Sequence, residues 1–438
     1  MSSDDSQLLT RLSAREAQRR IRDGKITAER LIEACLDRIR TLDGTLKAWA
    51  HVDEAAARTA ARERDADVRA GRTVGPLHGV PIGVKDIFDV AGMPTTGGAR
   101  PWAHRRPTVD APAVARLRSA GAVIVGKTVT TEFAYRDPSP TRNAWNPSHT
   151  PGGSSAGSGA AVAARMVPLA TGSQTVGSIL RPAAYNGVVG LKPTHGVVPV
   201  DGVIPLAWSL DHVGILARSV DDAALALGVL AGAEYDATIG RPPRIAIATE
   251  LIARSEGEQV AHLAAIIDAF RKAGATLVDV MLPASFATLH AAGLAVLEAE
   301  AAAYHATSFI QHGGEFGKEI GAGVEAGLRM RAVDYVHANR ARLGFRADVM
   351  PLLAGHDALL SPTVPAPAPA GLTSTGDGSL CAPWTYAGVP SISLPSGLAT
   401  TGLPFAVQLT AAAGQEQGLL RTAAWCEHVL RFSAAPAL

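Results

Sequence analysis

The sequence predicts an α/β protein, a mixed central sheet covered by helices on both faces. Three observations carry that expectation. Short β-branched runs such as VIVGKT, RIAIA and FAVQLT recur along the 438 residues, separated by helix-patterned stretches. Hydrophobic residues make up 47% of the chain and charged residues 18%, which suits a large buried core and excludes a disordered chain. Forty-four Gly and 28 Pro supply the many turns that such an alternation needs.

Taken in order, residues 1–75 read as helical. Thr27 is the expected N-cap of a helix whose Leu31, Ile32, Cys35, Leu36 and Ile39 make an apolar stripe. At residue 76 the texture changes to PLHGVPIGVKDIFDVAGMPTT, short, apolar and broken by Gly and Pro. RLRSAGAVIVGKT reads as a helix end, a Gly turn and a buried strand. A Pro/Ser/Gly-rich stretch over 138–160 leads into the helix-like AAVAARM. VVGLKPTHGVVPVDGVIPLA follows as short strands and turns, then a helix near 220–231. A strand begins near 244, and 258–275 and 285–350 are Ala-rich and helical in pattern. DALLSPTV, SISLPSG and FAVQLTA are expected strands, and a helix over 415–431 closes the chain. No internal repeat is present, and the linker-like 365–379 reads as a surface loop.

Charge excludes some classes of partner. Forty-one Lys and Arg against 40 Asp and Glu leave a net charge of +1, so no basic field favours nucleic acid or an anionic membrane. Three cysteines (Cys35, Cys381, Cys426) without a CxxC pair point away from a disulfide framework or a structural zinc site. The polar, acidic start MSSDDSQ has no signal-peptide pattern, and no apolar run is long enough to span a bilayer. A cytoplasmic protein is the expectation.

The chemistry concentrates in PGGSSAGSGAAVAARMVPLATGSQTVGSILRP, residues 151–182. Glycine-rich loops let backbone N–H groups approach a bound oxyanion or phosphate. No GxxxxGK[ST] is present, and GSGAAV lacks the third Gly of a dinucleotide fingerprint. Gly153-Ser154-Ser155-Ala156-Gly157 matches the GxSxG elbow with Ser155 at its centre, but NPSHTP precedes it where an elbow needs a strand. The 13 His are scattered and form no HExxH pair. What remains is a serine without an obvious histidine. Its base would be a lysine whose pKa burial has lowered, because Arg cannot be deprotonated in a protein. Of the seven Lys, Lys85, Lys127 and Lys192 have apolar neighbours in sequence, and for each the plain alternative is a paired ammonium at a strand end.

The sequence resembles the amidase signature family over nearly its whole length. The resemblance rests on GPLHGVPIGVKDIFDVAGMPTT, RLRSAGAVIVGKTVTTEFA, PGGSSAGS, TGSQTVGSILRPAA, GVVGLKPTHG, SLDHVG and the closing PSISLPSG…VQL. It implies a single amidase signature domain over 1–438, with a helical N-terminal segment (1–75), a catalytic core (76–235) and a variable helical substrate-side region (285–350). It implies hydrolysis of a carboxamide through an acyl-enzyme, with Ser178 as nucleophile, Ser154 as bridging serine on a cis peptide and Lys85 as base. The spacings of 69 and 24 residues agree with the family pattern. Backbone N–H groups of Thr175, Val176, Gly177 and Ser178 would form the oxyanion hole. Lys127, Lys192, Glu132 and Asp211 match motifs whose family role is structural.

Two positions depart from that pattern. Val176 stands where the family has a glycine, and its branched side chain is expected to restrict the pocket. Leu180 stands where many members have Arg, and Arg181 follows, as in a malonamidase-like branch where the Arg grips a substrate carboxylate. The expectation for Arg181 is an anionic or strongly polar substrate group, with a local ion pair as the alternative. His290, Tyr304, His305, His312, Tyr335, Trp384 and Tyr386 are further candidates for the substrate wall. No metal or organic cofactor is implied, and the expected partner is a small amide, with a homodimer as the commonest assembly. Two alternatives stay open: a glutamine-hydrolysing subunit of a tRNA-dependent amidotransferase, and a carbamate or urea-derivative hydrolase. A non-catalytic scaffold would have no use for the Lys85, Ser154 and Ser178 set.

Overall fold

The computed structural model describes residues 3–438 and gathers eleven strands into one sheet. In chain order they are β1 (Trp49–Val52), β2 (Pro81–Lys85), β3 (Val123–Thr128), β4 (Leu169–Gln174), β5 (Val189–Lys192) and β6 (His212–Ala217). β7 (Arg244–Ala248), β8 (Thr276–Val280), β9 (Ala358–Pro362), β10 (Ser391–Leu398) and β11 (Pro404–Thr410) complete it. Across the sheet the order is β1-β3-β2-β4-β6-β5-β10-β11-β9-β7-β8. β2 runs parallel to both β3 and β4, and β7 to both β8 and β9, while the remaining pairs are antiparallel. The mixed sheet expected from the sequence is therefore present.

Alternation along the strands divides the interior into two layers. In β3, Ile124 faces one core with Val213 and Ile215 of β6, while Val123 and Val125 face another with Leu216. Helices over 112–119, 220–231, 258–272 and 416–430 cover the first face. Helices over 28–46, 54–69 and 156–163 cover the second. The central strands are buried on both sides, which is why β3, β6 and β11 read as largely apolar runs. The expected cap is formed: Thr27 Oγ1 accepts the Arg30 N–H at 3.1 Å and opens the helix over 28–46.

Three elements differ from the sequence reading. β1 interrupts the helical 1–75 segment. Lys47 adopts a left-handed conformation that ends the helix before it, and Trp49–Val52 then pairs antiparallel with β3. β4 carries LATGSQ, with few β-branched residues, and is a strand because β2 and β6 pair with it on both sides. β8 is a half-exposed edge strand beside β7. The 365–379 stretch is a loop as expected, but it lies over the glycine-serine region: Thr375 is buried and the Gly376 carbonyl accepts from Arg181.

The topology sets up the site. β2 and β4 are parallel neighbours, so the strand ends carrying Lys85 and Ser173 lie side by side. A bond from Lys85 N–H to Thr171 Oγ1 at 3.0 Å fixes that alignment.

Candidate active site

Lys85 is fully buried at the end of β2. Its Nζ donates to Ser154 Oγ at 2.7 Å and to Ser173 Oγ at 2.7 Å, with the Ser173 carbonyl at 3.5 Å. These partners are hydroxyls and a carbonyl, none of them charged. Burial pushes the Lys85 pKa well below its usual value, against a partial upward pull from Asp211 and with a further downward push from Arg181. Such an ammonium gives up its proton readily.

Ser154 follows a cis peptide bond with Gly153 and is fully buried beside Lys85. The next residues open the helix over 156–163, which butts against the ends of two strands. A side chain at Gly157 would sit 2.1 Å from the Ala48 carbonyl oxygen and 2.4 Å from Val129 N, so only glycine fits there. Ser155, the centre of the GxSxG match, is buried, and its Oγ hydrogen-bonds the Ser173 backbone at 3.4 Å.

The loop 175–178 leaves the end of β4 and is held at three points. Gln174 is fully buried; its Oε1 accepts the N–H groups of Ile179 (2.8 Å) and Leu180 (3.0 Å), and its Nε2 donates to Thr385 Oγ1 at 2.9 Å. Thr385 Oγ1 donates to the Val176 carbonyl at 2.7 Å, which fixes that carbonyl's direction. Thr175 Oγ1 donates to Asp211 Oδ1 at 2.6 Å, while Asp211 Oδ2 accepts Leu206 N and Ala207 N at 2.9 and 3.0 Å. Burial raises the Asp211 pKa to about 6 in spite of those donors. Among the described residues, the N–H groups of Val176, Gly177 and Ser178 have no protein acceptor.

This loop faces a cavity of about 640 Å³. Thr175, Val176, Ser178 and Arg181 line it, opposite Tyr135, Leu297 and the 373–379 loop. Charged groups of both signs stand around it: Arg136, Lys318, Asp137, Glu319 and Asp377. Two acids pin that wall, since Asp137 accepts the N–H groups of Glu319 (3.0 Å) and Ile320 (2.8 Å), and Glu132 accepts Gly317 N at 2.9 Å.

The family described as Amidase matches residues 30–420. The chain belongs to the amidase signature family. It is 37% identical to a glutamyl-tRNA(Gln) amidotransferase subunit from Anaeromyxobacter sp. (strain K), over 98% of both chains. It is also 37% identical to an amidase of Pseudomonas putida, over 90% of this chain and 91% of that one. The solved peptide amidase of Stenotrophomonas maltophilia superposes with a TM-score of 0.85 at 32% identity, covering 97% and 98% of the two chains. As an amidase the protein hydrolyses carboxamide C–N bonds.

The amidase fold brings Lys85 and Ser154 into direct contact and puts Ser178 with Thr175 and Val176 on the cavity wall. Arg181 reaches the same wall, but no carboxylate pairs with it among the described residues. Its Nε and Nη2 donate to the Gly153 carbonyl (3.1 and 2.7 Å) and its Nη1 to the Gly376 carbonyl (2.7 Å). Lys127 pairs with Asp86 at 2.9 Å, and Lys192 donates to the Pro193 and Val389 carbonyls. Of the wall candidates, His290 and Tyr386 line the cavity. Tyr304 instead packs edge-on against Trp102, and His305 lies tilted against Trp102 and Phe133. His312 pairs with Glu315 at 3.2 Å, Tyr335 donates to Glu300 at 2.9 Å and Trp384 is core. Ser173, Gln174 and Thr385 escaped the sequence reading. The first two sit inside TGSQTVGS and were within reach there; Thr385 lies 207 residues beyond Ser178 and needed the fold.

Proposed function

We propose that Ser178 attacks the carbonyl carbon of a small carboxamide, with Ser154 and Lys85 as its proton relay. The observation that carries this reading is the buried Lys85 Nζ bonded to Ser154 and Ser173 hydroxyls without a charged partner. A lysine kept neutral by burial takes the Ser154 proton while Ser154 takes that of Ser178, and the Ser178 oxygen bonds to carbon. The carbonyl oxygen becomes an oxyanion received by the N–H groups of Thr175, Val176, Gly177 and Ser178, on a loop that the Thr175 hydroxyl ties to Asp211. Collapse breaks the C–N bond, and the leaving nitrogen takes the relay's proton back, giving ammonia or an amine. Water then attacks the acyl ester, loses its proton through the same relay and releases the carboxylate and Ser178.

Arg181 supplies a polar contact in this reading. Three of its five N–H donors go to the Gly153 and Gly376 carbonyls, leaving two for a substrate oxygen. The Arg181→Ala enzyme is then expected to lose more activity on carboxylate-bearing amides than on neutral ones. A cytoplasmic homodimer is the setting we propose: three buried free cysteines suit a reducing compartment, and two-fold dimers are the commonest assembly of identical chains.

The deciding experiment measures ammonia or amine release from paired neutral and anionic amides, an arylamide, a carbamate and glutamine, with Ser178→Ala run in parallel. Turnover by the wild type and none by Ser178→Ala is expected. A serine-directed covalent trap that labels both proteins equally would overturn the assignment. The near-full-length match to an amidotransferase subunit favours a second reading, glutamine hydrolysis in a complex. Turnover of glutamine alone, with a stably co-purifying subunit, would replace the first reading by the second.

A further inference from the structure

A second cavity of about 570 Å³ adjoins the first. His290, Ser379 and Tyr386 line both, so the two spaces share one wall. Tyr386 holds its part of that wall in place. The Tyr386 ring lies flat on Gly293, where an added Cβ would come within 2.2 Å of the ring, and Tyr386 itself is only 1% exposed. The chemistry changes across it. The cavity beside Ser178 is ringed by charges of both signs, whereas the neighbouring one is built mainly from Leu282, Pro283, Phe286, Leu289 and Pro383. Its carboxylate, Glu250, accepts the Leu282 N–H at 2.8 Å, and its guanidinium, Arg254, lies 5.2 Å over the Phe286 ring, where it extends the flat apolar face.

The first cavity alone already accommodates a small amide. We infer that the second is a subsite for an apolar arm of the substrate, an aryl or branched alkyl group joined to the scissile carboxamide by a chain that passes over the shared edge at His290 and Ser379, the two lining residues common to both cavities that keep exposed surface. The inference rests on Ser178 being the reacting serine, because that places the carboxamide in the first cavity. An apolar group leaving water for this groove gains roughly 25 cal/mol per Å² buried, and a flexible linker keeps the reacting end unchanged. The substrate class is thus an extended amide with one polar reacting end and one apolar end.

The test compares propionamide with 5-phenylpentanamide, which carries the arm on the acyl side, and N-ethylacetamide with N-(4-phenylbutyl)acetamide, which carries it on the amine. For one arm-bearing amide, kcat/KM is expected to exceed that of its armless parent by about tenfold or more, chiefly through KM. Ala287 lines the groove from an exposed helix position, so Ala287→Trp fills the groove without entering the core. It should bring the ratio of the two kcat/KM values close to one, and Phe286→Ala should reduce it. A ratio near one in the wild type, or one that Ala287→Trp leaves intact, would overturn the subsite. Calorimetric binding to Ser178→Ala separates this from the reading on which it rests. Tighter binding of the arm-bearing amide, lost in Ser178→Ala/Ala287→Trp, supports the subsite even where no amide is turned over; equal binding overturns it.

Discussion

Lys85 and Lys127 end on adjacent strands, both without exposed surface, yet their surroundings assign them opposite tasks. Lys127 donates to Asp86 Oδ1 (2.9 Å), Thr95 Oγ1 (2.7 Å) and the Pro94 carbonyl (3.0 Å). Burial lowers its pKa, and the Asp86 charge and hydrogen bond oppose that shift. An ion pair of this kind ties the 86–95 turn to β3. Lys85 has the same desolvation without a carboxylate in contact, and its closest partners are hydroxyls that can hand over protons. Burial alone therefore does not mark a catalytic lysine; the charge state of what it touches does.

The sharpest way to break the comparison is to remove each ammonium in turn. Lys85→Met should lower kcat by about 10⁴-fold or more, since the relay loses its only base. Lys85→Arg should not restore it, because a guanidinium keeps its proton. In the wild type the sign of the pH dependence follows from the lowered Lys85 pKa. The protonated form is inactive, so kcat/KM should rise with pH through a midpoint well below the ordinary lysine value of about 10.4 and level off above that midpoint. A pH–rate profile with no such limb, or a midpoint at the ordinary lysine value, would remove Lys85 from the base role.

Lys127→Met should act on stability. It strands the Asp86 carboxylate in the interior and should cost about 3–5 kcal/mol in denaturant unfolding, while the folded fraction keeps the wild-type pH midpoint. Lys192 is an intermediate case. Burial brings its pKa down to about 7, and its partners are the Pro193 and Val389 carbonyls. Lys192→Met leaves those acceptors unpaired and should cost roughly 1–3 kcal/mol, with little change in KM.

The same contrast shows how far sequence reasoning reaches. The α/β class, the strands at 123–128, 244–248 and 404–410 and the helices at 220–231 and 416–430 were legible because alternation, helical stripes and Gly/Pro punctuation are local. β1 was hidden because four residues between two helices carry too little pattern, and pairing with β3 makes them a strand. Lys85, Lys127 and Lys192 could be grouped by their apolar neighbours, but no local signal separates them. The resemblance to amidases chose among them, and in the structure the distinction is Asp86 beside one and two serine hydroxyls beside another. Thr385 was out of reach on physical grounds, since its contact with Val176 joins segments 209 residues apart.

Thr385 also gives the finest test, because it bonds neither lysine and meets the loop through the Val176 carbonyl and the Gln174 side chain. Its hydroxyl donates to the Val176 carbonyl and accepts from Gln174, so one oxygen links the two ends of the turn that presents Val176, Gly177 and Ser178. Thr385→Val keeps the shape and removes the hydroxyl. The Val176 carbonyl is then free to rotate, and the N–H groups beside it lose their fixed aim at the developing oxyanion. Such misplacement acts on the transition state more than on bound amide, so kcat should fall by about tenfold with KM nearly unchanged. Thr385→Ser, which keeps the hydroxyl, should recover most of that loss. The pH midpoint of kcat/KM should stay at the wild-type value in both variants, because neither touches Lys85. A Thr385→Val enzyme whose midpoint moves while kcat holds would mean that the relay, and not the oxyanion loop, is what this contact supports.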